Sequence, residues 1–443
     1  MKYIDSLLKF IFKNNKPFNI IFDASTLVEN INLEARGGIY NVAYNILRQF
    51  SKNNHYKTIL LVPSGTVFSN ENKIESFLSS FPIMTISEFK ECKFQKKIEI
   101  HINKIRETNN VFIIFDRLLK IYKNLFMIST IRKRIEIINN IGLFISPVYD
   151  IPEVIKNYSW IKSFHILYDC TPVLKNIPSH VPPDPQHWYA KMLQGLNKET
   201  YYFCISECTK KDFLELFPDQ LDKNKLFVTP IASSSNFVVN SDTFVLKNIL
   251  YKYGVTQNSD DCYIFSLCSF EPRKNLIFTI KCFIKFIKKH GIDNMYFYLG
   301  GGHFDQYISQ FNHEMAEFSD YQDKIIRLGY VDDEDVNILY SNSLFFVYLS
   351  QYEGFAMPPL EAMQAGTPVI CSNNSSLPEV VGDAAITIDC DSEEQCIKAF
   401  EDLYFNEDLR KHYIEKGLER AKLFSWEKTF DLMSKIIFDV ITH

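Results

Sequence analysis

Residues 348–369 read YLSQYEGFAMPPLEAMQAGTPV, and their order predicts a strand, a loop and a short helix in immediate succession. The apolar run 344–349 supplies the strand. Pro358 and Pro359 suit the first turn of a helix, where a missing N–H costs nothing, and Gly366 suits the end of that helix. A strand that runs into a helix through such a loop is typical of an α/β protein.

The loop that joins this strand to this helix is suited to an anion. The N–H groups of Phe355, Ala356 and Met357 would point out of the helix N-terminus, where the helix dipole favours negative charge. Gly354 has no Cβ, so the backbone can approach a ligand closely at that position. The stretch therefore predicts a site for an anion such as a diphosphate.

Charged side chains surround the same turn. Glu353 in the loop and Glu361 in the helix can each accept two hydroxyl hydrogen bonds, which suits the vicinal diols of a sugar or a ribose. A second motif, SFEPRKN at 269–275, places the adjacent cations Arg273 and Lys274 between another strand and another helix. Two fixed cations would stabilise a departing diphosphate without a metal. A solvated charged loop is the alternative interpretation of the second motif when it is taken alone.

Short apolar runs alternate with helical patterns along most of the chain, which favours parallel sheets covered by helices. Strands are predicted at 20–22, 58–62, 143–146, 164–167, 202–205, 226–228, 263–268, 296–299, 325–328, 344–349, 368–371 and 385–388. The alternation restarts after a polar stretch at 233–243, and 443 residues exceed what one hydrophobic core supports. We therefore predict a first domain at 1–235, a second domain at 236–425 and a final helix at 426–443.

The composition excludes several classes of protein. Apolar residues form 46% and charged residues 23% of the chain, which excludes wholesale disorder. The net charge of -5 argues against a protein that binds nucleic acid with its whole surface. No apolar run reaches the roughly 20 residues that span a bilayer, and no secretory signal is recognisable. The ten cysteines include no C-x-x-C pair, which favours buried thiols and a cytoplasmic protein.

Two segments combine basic and apolar residues in an amphipathic pattern, one at 2–16 and one at 117–134. The second contains no acidic residue. A basic amphipathic helix can lie on an anionic membrane, whereas an ordinary surface helix docks its apolar stripe on its own domain. Both interpretations stay open, and the first would place the protein peripherally on the inner face of the membrane.

The two motifs together resemble the retaining family-four glycosyltransferases, which have the GT-B fold. The resemblance is specific over 263–390, includes LPEVVGD at 377–383, and is strongest to the branch of bacterial polysaccharide mannosyltransferases. It implies two Rossmann-like domains that face each other across a cleft, with the donor in the second domain and the acceptor in the first. It also implies that the final helix crosses back onto the first domain.

The resemblance assigns roles to individual residues of the second domain. Glu361 would bind the ribose of the nucleotide, Glu353 would lie beside the donor sugar, and Tyr330 would lie beside the nucleobase. Gly354 and the backbone of 355–357 would hold the diphosphate, and the paired cations would stabilise the leaving group.

Two positions depart from the family pattern. Cys268 stands where many members have an arginine for the donor, so that Arg273 would take over this role. Ala356 stands where many members have glycine, which is a modest change. The sequence DCD at 389–391 fits a metal motif of other glycosyltransferases, but it lies past the donor motifs and is interpreted as a chance match.

The first domain resembles the family less closely. RGGIY at 36–40 is similar to the glycine-rich loop that faces the donor phosphates, and Gly38 is the residue carried over. In LYDCTP at 167–172, Tyr168 occupies a place that often holds histidine, so Asp169 is the predicted acceptor-side residue. His165 is predicted to be structural.

The implied activity is a metal-independent, retaining transfer of a hexose from a nucleotide sugar to a glycan or lipid-linked glycan in surface polysaccharide synthesis, with no cofactor. GDP-mannose is the favoured donor on resemblance alone, and a UDP- or dTDP-linked sugar stays open as the donor. Other interpretations are a transfer like that of glycogen synthase or phosphorylase, and a non-catalytic scaffold subunit of the same fold. The intact charged motifs argue against the scaffold.

Overall fold

The computed structural model describes residues 18–29, 38–64, 66, 68, 73–85, 141–156, 158–178, 184–256, 258, 260–301 and 305–442. The amphipathic segments predicted at 2–16 and 117–134 lie outside these residues. Within the described ranges, no helix combines the length and the apolar character that a membrane crossing requires. The nine cysteines in these ranges are free thiols, and six of them are buried, in agreement with the sequence prediction.

The N-terminal domain is built on a parallel sheet of seven strands in the order β3-β2-β1-β4-β5-β6-β7. The strands are β1 Phe18–Asp23, β2 Tyr56–Val62, β3 Ile83–Thr85, β4 Ile141–Ser146, β5 Lys162–Leu167, β6 Tyr201–Cys204 and β7 Leu226–Val228. Neighbouring residues Ile20, Ile21 and Phe22 of β1 are all fully buried. Successive side chains of a strand point to opposite faces, so both faces of this sheet are covered.

The C-terminal domain repeats this design with six parallel strands in the order β10-β9-β8-β11-β12-β13. The strands are β8 Cys262–Leu267, β9 Met295–Gly300, β10 Ile325–Gly329, β11 Phe346–Tyr348, β12 Val369–Ser372 and β13 Ile386–Ile388. In each sheet the strand order reverses beside the first strand, at β1 and β4 and again at β8 and β11. Open α/β sheets bind ligands outside the carboxyl ends of the strands at this point of reversal.

The helices cover both sheets. They are α1 Ser25–Glu29, α2 Gly38–Lys52, α3 Lys73–Ser79, α4 Glu153–Lys156, α5 Trp188–Gln194, α6 Glu207–Leu216, α7 Thr243–Lys252, α8 Leu276–His290, α9 Asp305–Met315, α10 Asp333–Ser341, α11 Met357–Gln364, α12 Leu377–Val381, α13 Glu393–Phe405, α14 Glu407–Ala421 and α15 Trp426–Thr442. Short 3-10 turns lie at Thr171–Val173, Lys223–Lys225, Pro272–Lys274 and Ala316–Lys324.

The twelve strands predicted from the sequence are all present, with ends that differ by at most two residues. The strand β3 is absent from the prediction. It has only three residues, lies at the edge of the sheet, and leaves Ile83 42% exposed, so its sequence carries no periodic apolar pattern.

The chain passes between the two domains twice. It leaves the N-terminal domain after β7 and returns after α14, so that α15 packs against α2. The ring of Phe430 in α15 lies 5.0 Å from that of Phe50 and 6.2 Å from that of Tyr56. The Thr429 hydroxyl donates to the Pro230 carbonyl at 2.6 Å, which ties the returning segment to the outgoing one.

Candidate active site

The two charged motifs meet at the carboxyl edge of the second sheet, where β8 and β11 lie side by side. The segment after β8 forms the 3-10 turn Pro272–Lys274, and the segment after β11 runs through 349–356 into α11. The Gln351 N–H donates to the Arg273 carbonyl at 2.9 Å and joins the two segments. The site is therefore built at the point where the strand order reverses.

The Glu353 carboxylate is the centre of this arrangement. Its Oε1 atom accepts hydrogen bonds from Arg273 Nη1 at 2.9 Å, from Lys274 Nζ at 2.6 Å and from the Tyr348 hydroxyl at 2.9 Å. Burial raises the pKa of Glu353, but the charges of Lys274 and Arg273 outweigh burial and hold the pKa below its ordinary value. Glu353 is therefore ionised and fixes both cations.

Both cations have further partners that hold them in place. Arg273 Nη1 also donates to the Tyr352 carbonyl at 2.7 Å, and Lys274 Nζ donates to the Tyr348 hydroxyl at 2.8 Å. Burial lowers the pKa of Arg273, but nearby carboxylates, Glu353 foremost, outweigh burial and hold it above its ordinary value. Positive charge is thus oriented in advance, which is what electrostatic stabilisation of a developing negative charge requires.

The turn predicted before α11 is present, and its binding of an anion stays a prediction. Helix α11 begins at Met357 and has prolines at its next two positions. The N–H groups of Phe355, Ala356 and Met357 donate to no other residue that the structure describes, so they are available to an anion. Gly354 packs against the N-terminal domain, because a Cβ built there would lie 2.5 Å from the Tyr168 carbonyl oxygen. Only glycine fits this contact.

The second carboxylate of the motif lies in a different environment. Glu361 Oε2 accepts a hydrogen bond from the Tyr340 hydroxyl at 3.2 Å. Burial raises the pKa of Glu361 to about 7, opposed by the Tyr340 hydrogen bond and assisted by the charge of Asp333. Glu361 therefore titrates near neutrality while Glu353 stays ionised.

Asp169 reaches the donor loop from the opposite domain. A Cβ built at Gly354 would lie 2.7 Å from the Asp169 Cβ, and the Asp169 charge contributes to the raised pKa of Arg273. The Thr171 N–H donates to Asp169 Oδ1 at 2.8 Å. His165 is buried within β5, and burial lowers its pKa to about 4, which fits the structural role predicted for it.

Two further predicted donor residues lie on other elements of the fold. Tyr330 follows Gly329 at the end of β10, and 38% of its surface is exposed. Gly38 is the exposed first residue of α2 in the N-terminal domain. Their contacts with a nucleotide and with its phosphates stay predictions.

Sequence reasoning missed three polar side chains that build the site. Besides Tyr348, these are Ser375, whose Oγ accepts from the Glu353 N–H at 2.9 Å, and Ser376, whose Oγ donates to the Glu353 carbonyl at 2.9 Å. Both serines follow β12 at the same edge of the sheet, and Tyr348 ends β11. Polar side chains directly after adjacent parallel strands were the available signal.

The segment 389–391 lies close to the charged centre. The side-chain ligand atoms of Asp389, Cys390 and Asp391 lie within 4.8 Å of one another. The Cys390 carbonyl accepts a hydrogen bond from Asn275 Nδ2 at 2.8 Å, one residue beyond the paired cations. Exposed acidic groups such as Asp389 and Asp391 are common without a bound ion, so this cluster does not by itself indicate a metal site. Independence of metal ions stays a prediction.

Comparison of the sequence with known proteins identifies a family and several relatives that this chain resembles. The family described as "Glycosyl transferases group 1" matches residues 253–420. O-antigen chain mannosyltransferase B of Escherichia coli is 32% identical over 253 residues, which cover 56% of this chain and 64% of that protein. Serotype-specific mannosyltransferase WbdA of Escherichia coli is 26% identical over 281 residues, which cover 62% of this chain and 33% of that protein. The chain thus matches less than two thirds of the length of these relatives.

Solved structures share the whole architecture. Sucrose-phosphate synthase from Thermosynechococcus elongatus superimposes with a TM-score of 0.64 over 96% of this chain and 99% of that chain, at 13% sequence identity. The predicted fold of two Rossmann-like domains in the GT-B arrangement is therefore confirmed.

Proposed function

Because residues 253–420 form a domain of the glycosyl transferases group 1 family, we propose that the chain is a glycosyltransferase that moves a hexose from a nucleotide sugar to a glycan. The proposal includes retention of the anomeric configuration, independence of metal ions and a role in surface polysaccharide synthesis. The observation that carries it is the buried centre of Glu353, Arg273 and Lys274, placed where the strand order of the second sheet reverses.

The proposed role of the charged centre is to bind the diphosphate of the donor. In the proposed complex its oxygens accept hydrogen bonds from the backbone of 355–357 and lie beside Arg273 and Lys274. The acceptor hydroxyl attacks the anomeric carbon on the face that the diphosphate leaves, the bond to the diphosphate oxygen breaks, and the hydroxyl proton passes to that departing oxygen. The cations and the N–H groups stabilise the charge that develops on the leaving oxygen, in a site whose groups are oriented beforehand. Glu353 lies beside the donor sugar, and Glu361 accepts the ribose hydroxyls.

The cations provide the first test of the proposal. Arg273→Ala and Lys274→Ala should each lower turnover by about a hundredfold, because each removes a donor that stabilises the leaving group. Lys281→Ala is the matched control, since Lys281 is an exposed lysine of α8 that pairs only with Glu393 among the described residues. Steady-state rates of nucleotide release measure the effect. Near-normal turnover in both site variants would show that the leaving group is stabilised elsewhere.

GDP-mannose is the proposed donor. Its support is the likeness of the charged motifs to the mannosyl branch and the names of the relatives, both of which are called mannosyltransferases. The test is to incubate the protein separately with GDP-mannose, UDP-glucose, UDP-GlcNAc and dTDP-rhamnose and to measure free nucleotide and melting temperature. Faster release or stronger stabilisation with a UDP or dTDP donor would replace GDP-mannose and leave the proposed reaction type standing.

Retention and metal independence need their own measurements. The anomeric configuration of the new glycosidic bond, read by NMR, should match that of the donor sugar. Activity should be unchanged in excess chelator, and a requirement for added Mg²⁺ or Mn²⁺ would direct attention to Asp389 and Asp391.

The acceptor is proposed to be a glycan on a lipid carrier, which would bring the protein to the cytoplasmic face of a membrane. The sequence 117–134, with six basic residues and no acid, is the proposed contact. Each Lys or Arg near an anionic surface contributes about 1 kcal/mol, so replacing four of them with Gln should abolish co-sedimentation with anionic liposomes. If the unaltered protein ignores such liposomes at low salt, this segment is an ordinary part of its domain.

A further inference from the structure

Helix α6 of the N-terminal domain contacts the loop of the C-terminal domain that carries Glu353. The Tyr352 hydroxyl donates to Asp212 Oδ2 at 2.5 Å, across 140 residues of sequence. Tyr352 is 7% exposed, and the Cys208 thiol lies 3.4 Å from the same carboxylate oxygen. Burial raises the pKa of Tyr352 far above its ordinary value, so the hydroxyl keeps its proton and remains a donor.

The same tyrosine is bonded to the charged centre through its backbone. The Tyr352 carbonyl accepts from Arg273 Nη1 at 2.7 Å, and Glu353 is the next residue along the chain. One residue therefore links the carboxylate of Asp212 in one domain to the cation of Arg273 in the other. A shift of α6 relative to the second sheet would pull on the segment that orients Glu353.

A neighbouring side chain strengthens this link. Thr209, one turn before Asp212 in α6, has its hydroxyl 2.7 Å from the Tyr168 carbonyl and 3.4 Å from the Gly354 carbonyl. Residues 352–354 are thus contacted by α6 at both ends.

A carboxylate from the C-terminal domain caps the start of the same helix. The two Glu379 oxygens accept from the N–H groups of Glu207 and Cys208, each at 2.7 Å. The first N–H groups of a helix have no partner within the helix and lie at the positive end of its dipole, so a carboxylate there is stabilising. The Glu379 carbonyl accepts from Arg420 Nη2 at 2.6 Å, which anchors α12 to α14.

From these contacts we propose that Tyr352 and Asp212 are positioning residues, which hold Glu353 and Arg273 in catalytic register only while α6 is docked on the C-terminal domain. This inference rests on the proposed glycosyl transfer. It adds that the other domain completes the donor site through the bond between Tyr352 and Asp212, the Thr209 contact with Gly354 and the Glu379 cap. Neither Tyr352 nor Asp212 needs to touch the substrate for this role.

Kinetics of four variants test the proposal. Tyr352→Phe and Asp212→Ala should each lower kcat about ten- to a hundredfold, the usual effect of losing one hydrogen bond to a charged group, with donor KM within about twofold of the unaltered value. Asp212→Asn should restore most of kcat, because an amide oxygen still accepts from the hydroxyl. Glu215→Ala, an exposed change on the same helix that removes only a pair with Lys211, should have no effect.

A second measurement does not depend on activity. Hydrogen–deuterium exchange of the peptide covering 349–357, without substrate, should be faster in Tyr352→Phe and Asp212→Ala than in Asp212→Asn or Glu215→Ala. If no nucleotide sugar is turned over, the proposed glycosyl transfer is wrong. The exchange result still tests whether the bond between Tyr352 and Asp212 holds the segment 349–357 in place. Unchanged exchange in this peptide, or unchanged kcat in Tyr352→Phe and Asp212→Ala, would overturn the inference.

Discussion

The Glu353 carboxylate binds the same two cations that a donor diphosphate would approach. Its Oε1 atom is bonded to Arg273, Lys274 and Tyr348, so the cations are satisfied before any ligand arrives. A diphosphate that entered the site would share these cations and would not have to order them. The cost of orienting two long side chains is therefore met during folding, and binding energy is left for the reaction.

Tyr348 provides a test of this preorganisation. Tyr348→Phe keeps the buried ring and removes only the hydroxyl that joins Lys274 to Glu353. We expect turnover to fall about tenfold, because one bond to each charged group is lost. Tyr263→Phe is the matched control, since Tyr263 lies on β8 of the same sheet and its buried hydroxyl bonds the Leu339 carbonyl of α10. Equal turnover rates for the two variants would show that the Tyr348 hydroxyl does not contribute to the reaction.

Glu361 predicts a pH dependence of nucleotide binding. Burial raises the pKa of Glu361 to about 7, and a ribose hydroxyl bonds best to the ionised carboxylate. Affinity for the nucleotide, measured by titration calorimetry, should therefore rise between about pH 6 and about pH 8 and then level off. Glu361→Ala should cost about 1.5–3 kcal/mol of binding at high pH and remove this dependence. An unchanged affinity in a folded variant would contradict the ribose assignment.

The same carboxyl group affects stability with the opposite trend. Its folded pKa of about 7 lies above the reference value of 4.5, so the protonated form stabilises the fold and that contribution is lost as pH rises through about 7. Glu361→Gln cannot ionise and should gain stability relative to the unaltered protein as the pH is raised. Urea unfolding at about pH 5 and about pH 8 measures the difference.

Among the elements, those with a strong local pattern were predictable and those set by contacts between distant residues were not. The twelve strands and the start of α11 follow from apolar runs, glycines and prolines. The charged residues 273, 274, 353 and 361 follow from motif spacing. The bond between Tyr352 and Asp212 joins residues 140 positions apart, and no periodicity in one chain reports such a contact.

The turn before α11 gives a prediction about the contact between domains. Gly354→Ala would place a Cβ 2.5 Å from the Tyr168 carbonyl oxygen and 2.7 Å from the Asp169 Cβ, so the loop and the N-terminal domain must separate. We expect a loss of about 1–3 kcal/mol in unfolding free energy and a larger radius of gyration by X-ray scattering. Gly38→Ala meets no atom within 4 Å and should leave stability unchanged. A Gly354 variant as compact and stable as the unaltered protein would show that the contact is not needed.

For the molecule as a whole, α15 fastens the end of the chain to the N-terminal domain. Phe430 is 8% exposed and packs against Phe50 and Tyr56, so Phe430→Ala should lower the unfolding free energy by about 3–5 kcal/mol. Leu432→Ala, on the same helix and 37% exposed, should cost far less. Urea midpoints of the two variants, followed by circular dichroism, make the comparison. Equal midpoints would mean that α15 adds little to the N-terminal domain.

The two segments that cross between the domains are joined to each other by the hydrogen bond from Thr429 to Pro230. A single linker would let one domain swivel freely, whereas two adjacent linkers resist torsion and leave bending as the soft degree of freedom. We expect any movement of one domain relative to the other to follow this bending path, which would return the Tyr352 hydroxyl to the same partner, Asp212.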